Sequence, residues 1–143
     1  MKQSKCILLV EDDDDDQEFF ISAIEDMDNV IVQAVVRNGK EALKHLENST
    51  ILPSVIFMDI DMPLMNGIEC LTEIIKNPKT KEIPVVMLTT STYQSERSQS
   101  LGAKAFIMKP DNVNTLRQQV EDILHLNFNG GSGLDPLPFQ MNF

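Results

Sequence analysis

The sequence has few of the residues that form disulfides and metal sites with nitrogen and sulfur ligands. Its 143 residues include two cysteines and two histidines. Cys6 and Cys70 fall inside predicted secondary-structure elements, which does not suggest a disulfide framework, so a reduced, cytoplasmic protein is the simplest interpretation. His45 and His125 stand alone, without metal-ligand spacing, and we interpret both as ordinary helix residues.

Long apolar stretches are also missing. The N-terminal residues 1–5 lead into an apolar run that stops at Val10, which is too short for a signal peptide or a membrane span. The length of the chain and its 42% of hydrophobic residues still allow one domain with a real core, or one domain plus a tail. We therefore expect a single folded domain that is not inserted in a membrane.

Positive charge is scarce. The chain has 12 basic residues against 22 acidic ones and a formal net charge of −10. This balance disfavours direct nucleic-acid binding, which needs clustered Lys and Arg, and it disfavours an anionic membrane surface. The excess is local, because residues 11–18 hold seven acids and no base, and the rest of the chain has 15 acids against 12 bases. Most of the excess negative charge therefore lies in one segment of eight residues.

Apolar runs bounded by turn residues alternate with helical patterns along the chain. We predict strands at 6–10, 30–36, 55–58, 84–88 and 105–108, and helices at about 14–27, 42–46, 68–75, 93–101 and 113–124. Five β-then-α units with nearly continuous apolar strands predict an α/β fold, with a parallel sheet covered by helices on both faces. In such sheets, sites form at the carboxyl ends of the strands.

The residues at those strand ends suggest phosphoryl chemistry. Glu11 and Asp12 end strand one and Asp59 ends strand three, so neighbouring strands would bring three carboxylates together. A hard divalent cation such as Mg²⁺ would relieve their repulsion. Thr89 and Lys109 end strands four and five and suit an anion bound beside the metal. Each residue alone has an ordinary explanation as a cap or loop residue, but together they indicate phosphoryl transfer onto, or off, a carboxylate.

Four segments carry a resemblance to a known family. They are ILLVEDD at 7–13, FMDIDMPLMNG at 57–67, MLTTS at 87–91 and GAKAFIMKP at 102–110. In this order and spacing they resemble the receiver domain of bacterial two-component response regulators, of the stand-alone, chemotaxis-regulator-like type. The resemblance covers about residues 4–126 and implies a doubly wound (βα)5, flavodoxin-like fold with strand order 2-1-3-4-5.

The resemblance also implies a role for each acidic residue at the strand ends. Asp59 would accept a phosphoryl group from the phosphohistidine of a sensor histidine kinase or a phosphotransfer protein. Asp12 and Asp59 would bind Mg²⁺ (or Mn²⁺) directly, Glu11 would act through a water, and the backbone carbonyl of Asp61 would be a further ligand. Because the Asp61 side chain borders the route of attacking water, we also expect it to change the lifetime of the acyl phosphate.

The resemblance assigns the other side of the site to the phosphoryl group. Thr89 would donate a hydrogen bond to a phosphoryl oxygen, and Lys109 would pair with the same group. Thr90 is small enough to leave the phosphoryl path open. Phe106 occupies the aromatic switch position, where the ring turns inward as the threonine moves. A cis peptide often precedes the proline that matches Pro110.

Asp13 to Asp16 exceed what one metal site needs. Asp14 with Gln17 three residues later resembles a capping box, and carboxylates in a first helical turn are favoured by the helix dipole. We therefore interpret these residues as helix capping plus solvated charge, rather than as a second metal site.

We expect residues 1–126 to form the receiver domain and residues 127–143 to form a tail. The tail is linker-like at 130–133, which is compatible with an expression-vector scar, and then rich in Leu, Pro and Phe, so that it could dock as a short strand or as a peptide on a partner. Without room for a DNA-binding domain, the output partner is expected to be a protein. A homodimer through the helix 4, strand 5 and helix 5 face is expected by analogy only.

Two other functions remain open on the sequence. A pseudo-receiver would bind partners without phosphorylation, although the intact acidic, Thr and Lys set argues against it. Asp59 and Asp61 also mimic the D-x-D motif of haloacid-dehalogenase-type phosphatases, but that motif normally lies on an early strand. The leading hypothesis is a signalling switch or phosphorelay intermediate, not an enzyme beyond self-phosphorylation and autodephosphorylation.

Overall fold

A computed structural model of the chain describes residues 4–90 and 97–126, together with the backbone of 140–141. The elements are β1 (Lys5–Val10), α1 (Asp14–Ile24), β2 (Val30–Val36), α2 (Gly39–Asn48), β3 (Val55–Asp59), α3 (Gly67–Lys76), β4 (Val85–Thr89), a helical turn α4 (97–100), β5 (Ala105–Met108), α5 (Val113–His125) and β6 (Gln140–Met141). Ser91 and the first four residues of the predicted fourth helix, 93–96, lie outside the described residues.

The strands form one parallel sheet in the order β2-β1-β3-β4-β5-β6. The first five strands confirm the predicted parallel sheet and its 2-1-3-4-5 order. A sixth, two-residue strand from the tail adds to the edge of β5, with Phe106 in register with Gln140. The strand order reverses between β1 and β3, so the carboxyl ends of these two strands open onto one crevice.

Hydrophobic side chains pack on both faces of the sheet. One cluster includes Leu8, Met58 and Leu71 and lies on the side of α2 and α3. The other includes Phe57, with its ring centroid 5.1 Å from that of Phe20, and lies on the side of α1 and α5. All residues of β3 and β4 are buried, which explains why their sequences are apolar up to the terminal residues Asp59 and Thr89.

The start of α1 differs in detail from the sequence prediction. Asp13, not Asp14, is the N-cap, and its carboxylate accepts a 2.8 Å hydrogen bond from the backbone N–H of Asp16. The amide of Gln17 does not close a capping box but donates to the carbonyl oxygen of Glu11 at 2.7 Å. This contact ties the first turn of α1 to the end of β1.

The remaining helix boundaries follow local signals. Asn38, Asn66 and Asn112 cap α2, α3 and α5, each with its side-chain oxygen on backbone N–H groups of the first turn. The helix α1 ends at Ile24, three residues before the predicted boundary, and the chain turns into β2 through Asn29 at a φ of 65°. No helix in the described part of the chain is long and apolar enough to cross a membrane.

Candidate functional site at the carboxyl ends of the strands

Three carboxylates converge at the switch in strand order. Val10 of β1 is in register with Met58 of β3, so the residues that follow them, Glu11 and Asp59, emerge side by side. Oxygen atoms of Glu11, Asp12 and Asp59 all lie within 4.8 Å of one another. The structure therefore brings together the three acidic side chains that the sequence predicted as a metal site.

Burial makes this cluster electrostatically unfavourable without a cation. Glu11 is 1% exposed and Asp59 is 6% exposed, whereas Asp12 is half-buried. Burial, with the nearby Asp59 carboxylate, raises the pKa of Glu11 to about 7. Burial also raises the pKa of Asp59, although Lys109 opposes this shift. Negative charge accumulates here beyond what the protein itself neutralises, and this set of oxygen donors fits a small divalent cation.

Lys109 supplies the positive charge of the site. Its ammonium nitrogen lies 3.2 Å from Glu11 Oε1, 3.2 Å from Asp59 Oδ1 and 3.0 Å from Asp16 Oδ2. Burial works to lower the pKa of Lys109, but the carboxylates of Asp59, Glu11 and Asp16 outweigh it and raise the pKa. The lysine therefore stays protonated at the edge of the carboxylate cluster.

The ends of β4 and β5 place the other predicted residues. Thr89 is buried at the end of β4, and its carbonyl oxygen accepts a 2.8 Å hydrogen bond from the backbone N–H of Lys109. Thr90 is exposed. The ring of Phe106 is 3% exposed and packs inward in the cluster on the α2 and α3 side. The peptide before Pro110 is not cis, nor is any other in the described residues, in accord with the intrinsic trans preference of X-Pro bonds.

The loop between β3 and α3 passes tightly against Asp59. The backbone N–H of Gly67 donates to the carbonyl oxygen of Ile60 at 2.8 Å, and a Cβ on Gly67 would overlap the carbonyl oxygen of Asp59. Leu64 is exposed and has a φ of 66°, an unfavourable conformation for a leucine. Asp61 is exposed, and its side chain is not part of the carboxylate cluster.

Two residues near the site had no role in the sequence interpretation. Asp16 contacts Lys109, whereas the sequence suggested helix capping and solvated charge for Asp13 to Asp16. Arg37, just after β2, donates to the Asp12 carbonyl oxygen at 2.6 Å and to Asp14 Oδ1 at 2.7 Å. Arg37 follows β2 at the carboxyl end of the sheet, where sites form in such folds, so the position of Arg37 in the sequence could have identified it as a candidate site residue.

The doubly wound sheet, with an acidic cluster at its switch point, defines a flavodoxin-like α/β domain. The chain belongs to the response regulator receiver domain family, whose model matches residues 7–121. This match confirms the family expected from the sequence motifs.

Several known proteins resemble the chain. It is 33% identical to the response regulator Rcp1 of Synechocystis sp. over 83% of this chain and 86% of that protein. It is 36% identical to the histidine kinase P4 of Formosa agariphila over 86% of this chain, which spans 9% of that kinase. It also spans about a third or less of several protein-glutamate methylesterases. The match to these multidomain proteins is thus confined to one domain.

Solved structures resemble the fold closely. The phosphorylated cyanobacterial phytochrome response regulator RcpA has a TM-score of 0.75 and 32% identity, over 84% of this chain and 91% of RcpA. The Mn²⁺-bound form of Rcp1 has a TM-score of 0.73 and 31% identity, over 83% of this chain and 91% of Rcp1. The chain is therefore similar to response regulators solved with a phosphoryl group and with a divalent metal.

Proposed function

We propose that this protein is a phosphorylation-operated signalling switch that accepts a phosphoryl group on Asp59. The observation that carries the proposal is the convergence of Asp59 with the carboxylates of Glu11 and Asp12 on one side and with Lys109 Nζ, at 3.2 Å, on the other. The similarity to phosphorylated RcpA supports the same role.

The cation site of the proposal consists of Asp12 and Asp59 as direct ligands, Glu11 through a water, and the backbone carbonyl of Asp61. Mg²⁺ at this site would offset the repulsion between a carboxylate nucleophile and phosphoryl oxygens. The carboxylate cluster fits this role because it offers only oxygen donors, and the similarity to Mn²⁺-bound Rcp1 supports it.

The chemical step is the transfer of a phosphoryl group from a histidine nitrogen to an aspartate oxygen. A carboxylate oxygen of Asp59 forms a bond to phosphorus while the bond from phosphorus to the imidazole nitrogen of a phosphohistidine breaks. The electron pair stays on that nitrogen, and the imidazole, which carries a proton on its other ring nitrogen, leaves as the neutral base. Lys109 stabilises charge on the phosphoryl oxygens. Thr89 donates its hydroxyl hydrogen to one of these oxygens, and the small side chain of Thr90 leaves the approach open.

In this proposal, phosphorylation shifts the population of the protein from one conformation toward another. New contacts from the phosphoryl group to Thr89 and Lys109 favour one arrangement of the ends of β4 and β5. Phe106 of β5 is the aromatic switch residue in this proposal. The partners are a sensor histidine kinase or phosphotransfer protein and a downstream protein, in the cytoplasm, without direct DNA or membrane binding. A homodimer through the α4, β5 and α5 face belongs to the same proposal.

An intact-mass measurement tests the proposal. The protein is mixed with Mg²⁺ and acetyl phosphate, and an adduct of about 80 Da, one phosphoryl group, is expected. The adduct should disappear in Asp59→Asn and persist in Asp61→Asn, which makes the same change two residues away. No adduct with any phosphodonor would favour a pseudo-receiver, and multiple turnover of organic phosphates would favour a phosphatase.

A further inference from the structure

Lys109 has one carboxylate partner outside the proposed cation site. Asp16 Oδ2 lies 3.0 Å from the ammonium nitrogen, slightly closer than Glu11 and Asp59 at 3.2 Å. The Asp16 side chain is 46% exposed, whereas those of Glu11 and Asp59 are 2% and 8% exposed. The ammonium therefore lies between two buried carboxylates and one that is open to water.

The backbone of Asp16 is held in place by the start of α1. Its N–H donates to the carboxylate of the cap residue Asp13 at 2.8 Å, and the next side chain, Gln17, donates to the carbonyl oxygen of Glu11 at 2.7 Å. The first contact caps the helical turn, and the second holds it against the end of β1. Asp16 consequently presents its carboxylate to Lys109 from a fixed position, unlike a charge on a mobile loop.

The other two partners of Lys109, Glu11 and Asp59, also belong to the proposed cation site. A cation held by Glu11, Asp12 and Asp59 would draw on the same carboxylate charge and repel the nearby ammonium. Asp16 is the ion-pair partner of Lys109 in the described residues that does not belong to that ligand set. Its attraction for the lysine therefore persists when the cation site is filled.

We propose that Asp16 is a positioning residue that keeps the Lys109 ammonium beside Asp59 and thereby accelerates phosphorylation. This inference rests on the proposed role of Asp59 as phosphoacceptor. A lysine ammonium has three donor hydrogens, so Lys109 can donate to Asp16 and to phosphoryl oxygens at the same time. Asp16 consequently acts as an anchor for the lysine and does not have to be released during the transfer.

The lysine needs such an anchor because its side chain has room to move. A cavity of about 50 Å³ adjoins Lys109 and Asp16, and its walls include Phe20 and Leu116. The flexible methylene chain of a lysine loses considerable rotamer freedom when it is held in one place. A fixed ion pair at the end of the chain offsets that cost and selects the rotamer in which the ammonium reaches Asp59.

The first test compares Asp16→Asn with Asp15→Asn. Asp15 lies in the same helical turn, carries the same charge and has no side-chain ion pair in the described part of the chain. With acetyl phosphate and Mg²⁺, Asp16→Asn is expected to slow adduct formation about two- to fivefold, the upper range for a partly exposed ion pair, and Asp15→Asn should change it less than about 1.5-fold. In a Lys109→Ala background, Asp16→Asn should have no further effect.

The second test does not depend on phosphorylation. In the presence of Mg²⁺, the rate of reductive methylation of Lys109, followed by peptide mass, should rise in Asp16→Asn and stay unchanged in Asp15→Asn. Equal behaviour of the two variants in this assay overturns the proposal, as does faster phosphorylation in Asp16→Asn. If the wild-type protein takes up no phosphoryl group, the proposed function fails separately, and lysine reactivity alone decides whether Asp16 positions Lys109.

Discussion

The guanidinium of Arg37 donates a 2.6 Å hydrogen bond to the carbonyl oxygen of Asp12 and a second, 2.7 Å bond to the carboxylate of Asp14. Arg37 thus connects the end of β2 to the loop that carries a proposed metal ligand. The contact is to the backbone of Asp12, so it constrains the position of the residue without occupying its side-chain oxygens.

Replacing Arg37 should weaken metal binding. In Arg37→Ala the loop after β1 loses two hydrogen bonds to a charged group, so the Asp12 carboxylate is less well positioned, and we expect a several-fold weaker affinity for Mn²⁺ by calorimetry or electron paramagnetic resonance. The matched control is Arg117→Ala, which also breaks an exposed ion pair, with Asp26 at 2.9 Å, but between α5 and the end of α1. Equal loss of affinity in both variants would contradict a specific role for Arg37.

Glu11 should make the metal-free protein less stable at neutral pH than at acidic pH. Its pKa is about 7 in the folded protein, against an ordinary value of 4.5, so between these values the unfolded chain binds fewer protons than the folded one. The free energy of unfolding contributed by Glu11 therefore falls as pH rises through this interval, by about 3 kcal/mol for a shift of this size.

Urea denaturation in chelator at about pH 5 and about pH 7.5 checks this expectation. The control is Glu11→Gln, which keeps the shape of the side chain but cannot ionise and should lose less stability over the same interval. Mg²⁺ should restore stability at the higher pH in the wild-type protein, because it favours the ionised carboxylate. The same decline in both proteins would show that Glu11 is not the group responsible.

A methyl group on Gly67 should destabilise the fold around Asp59. It would overlap the carbonyl oxygen of Asp59 and approach the Ile60 Cα to 2.9 Å, and both neighbours are backbone atoms that cannot turn away. We expect Gly67→Ala to lower the free energy of unfolding by about 1–3 kcal/mol, measured by urea denaturation. Gly39→Ala is the comparison, since Gly39 also follows an Asn cap but its added methyl group would meet one backbone atom, the Met65 carbonyl oxygen at 2.9 Å, and otherwise the movable Met65 side chain. We therefore expect a smaller loss there, and a larger loss would refute this explanation.

Asp61 should control the lifetime of the acyl phosphate. Its carboxylate is exposed two residues beyond Asp59, where it can accept a hydrogen bond from an attacking water, so Asp61→Asn is expected to slow loss of the phosphoryl group several-fold. The decay of the adduct in chelator-quenched samples gives the rate. Asp28→Asn is the same change just before β2, at the amino ends of the strands and away from the site, and it should leave the decay rate unchanged. An unaltered rate in Asp61→Asn would remove Asp61 from this role.

The sequence allowed most of the fold and site to be predicted for identifiable reasons. The strands β3 and β4 are buried at every position, so their apolar runs were unambiguous. Glu11, Asp59 and Lys109 end parallel strands, and the carboxyl ends of parallel strands meet at one edge. The backbone topology alone was therefore sufficient to bring these side chains together.

The contacts that the sequence did not predict depend on where individual side chains extend, and the apolar patterns of strands and helices carry no information about that. Asp13 to Asp16 are four identical residues in a row, so the pattern could not distinguish the cap Asp13 from the lysine partner Asp16. Arg37 spans 25 residues of sequence to reach Asp12. The short β6 strand pairs through its backbone, and no periodicity is visible in two residues.

The burial of β3 also has a consequence for the proposed signalling function. Asp59 ends a strand whose neighbours on both sides are strands and whose faces are both covered. Amide hydrogens in such a strand exchange with solvent only when most of the molecule opens, whereas edges and helix ends open far more often. Asp59, the proposed phosphoacceptor, is therefore a stationary point in the molecule, and in the proposed switch any change that a partner detects has to arise from elements that rearrange around it.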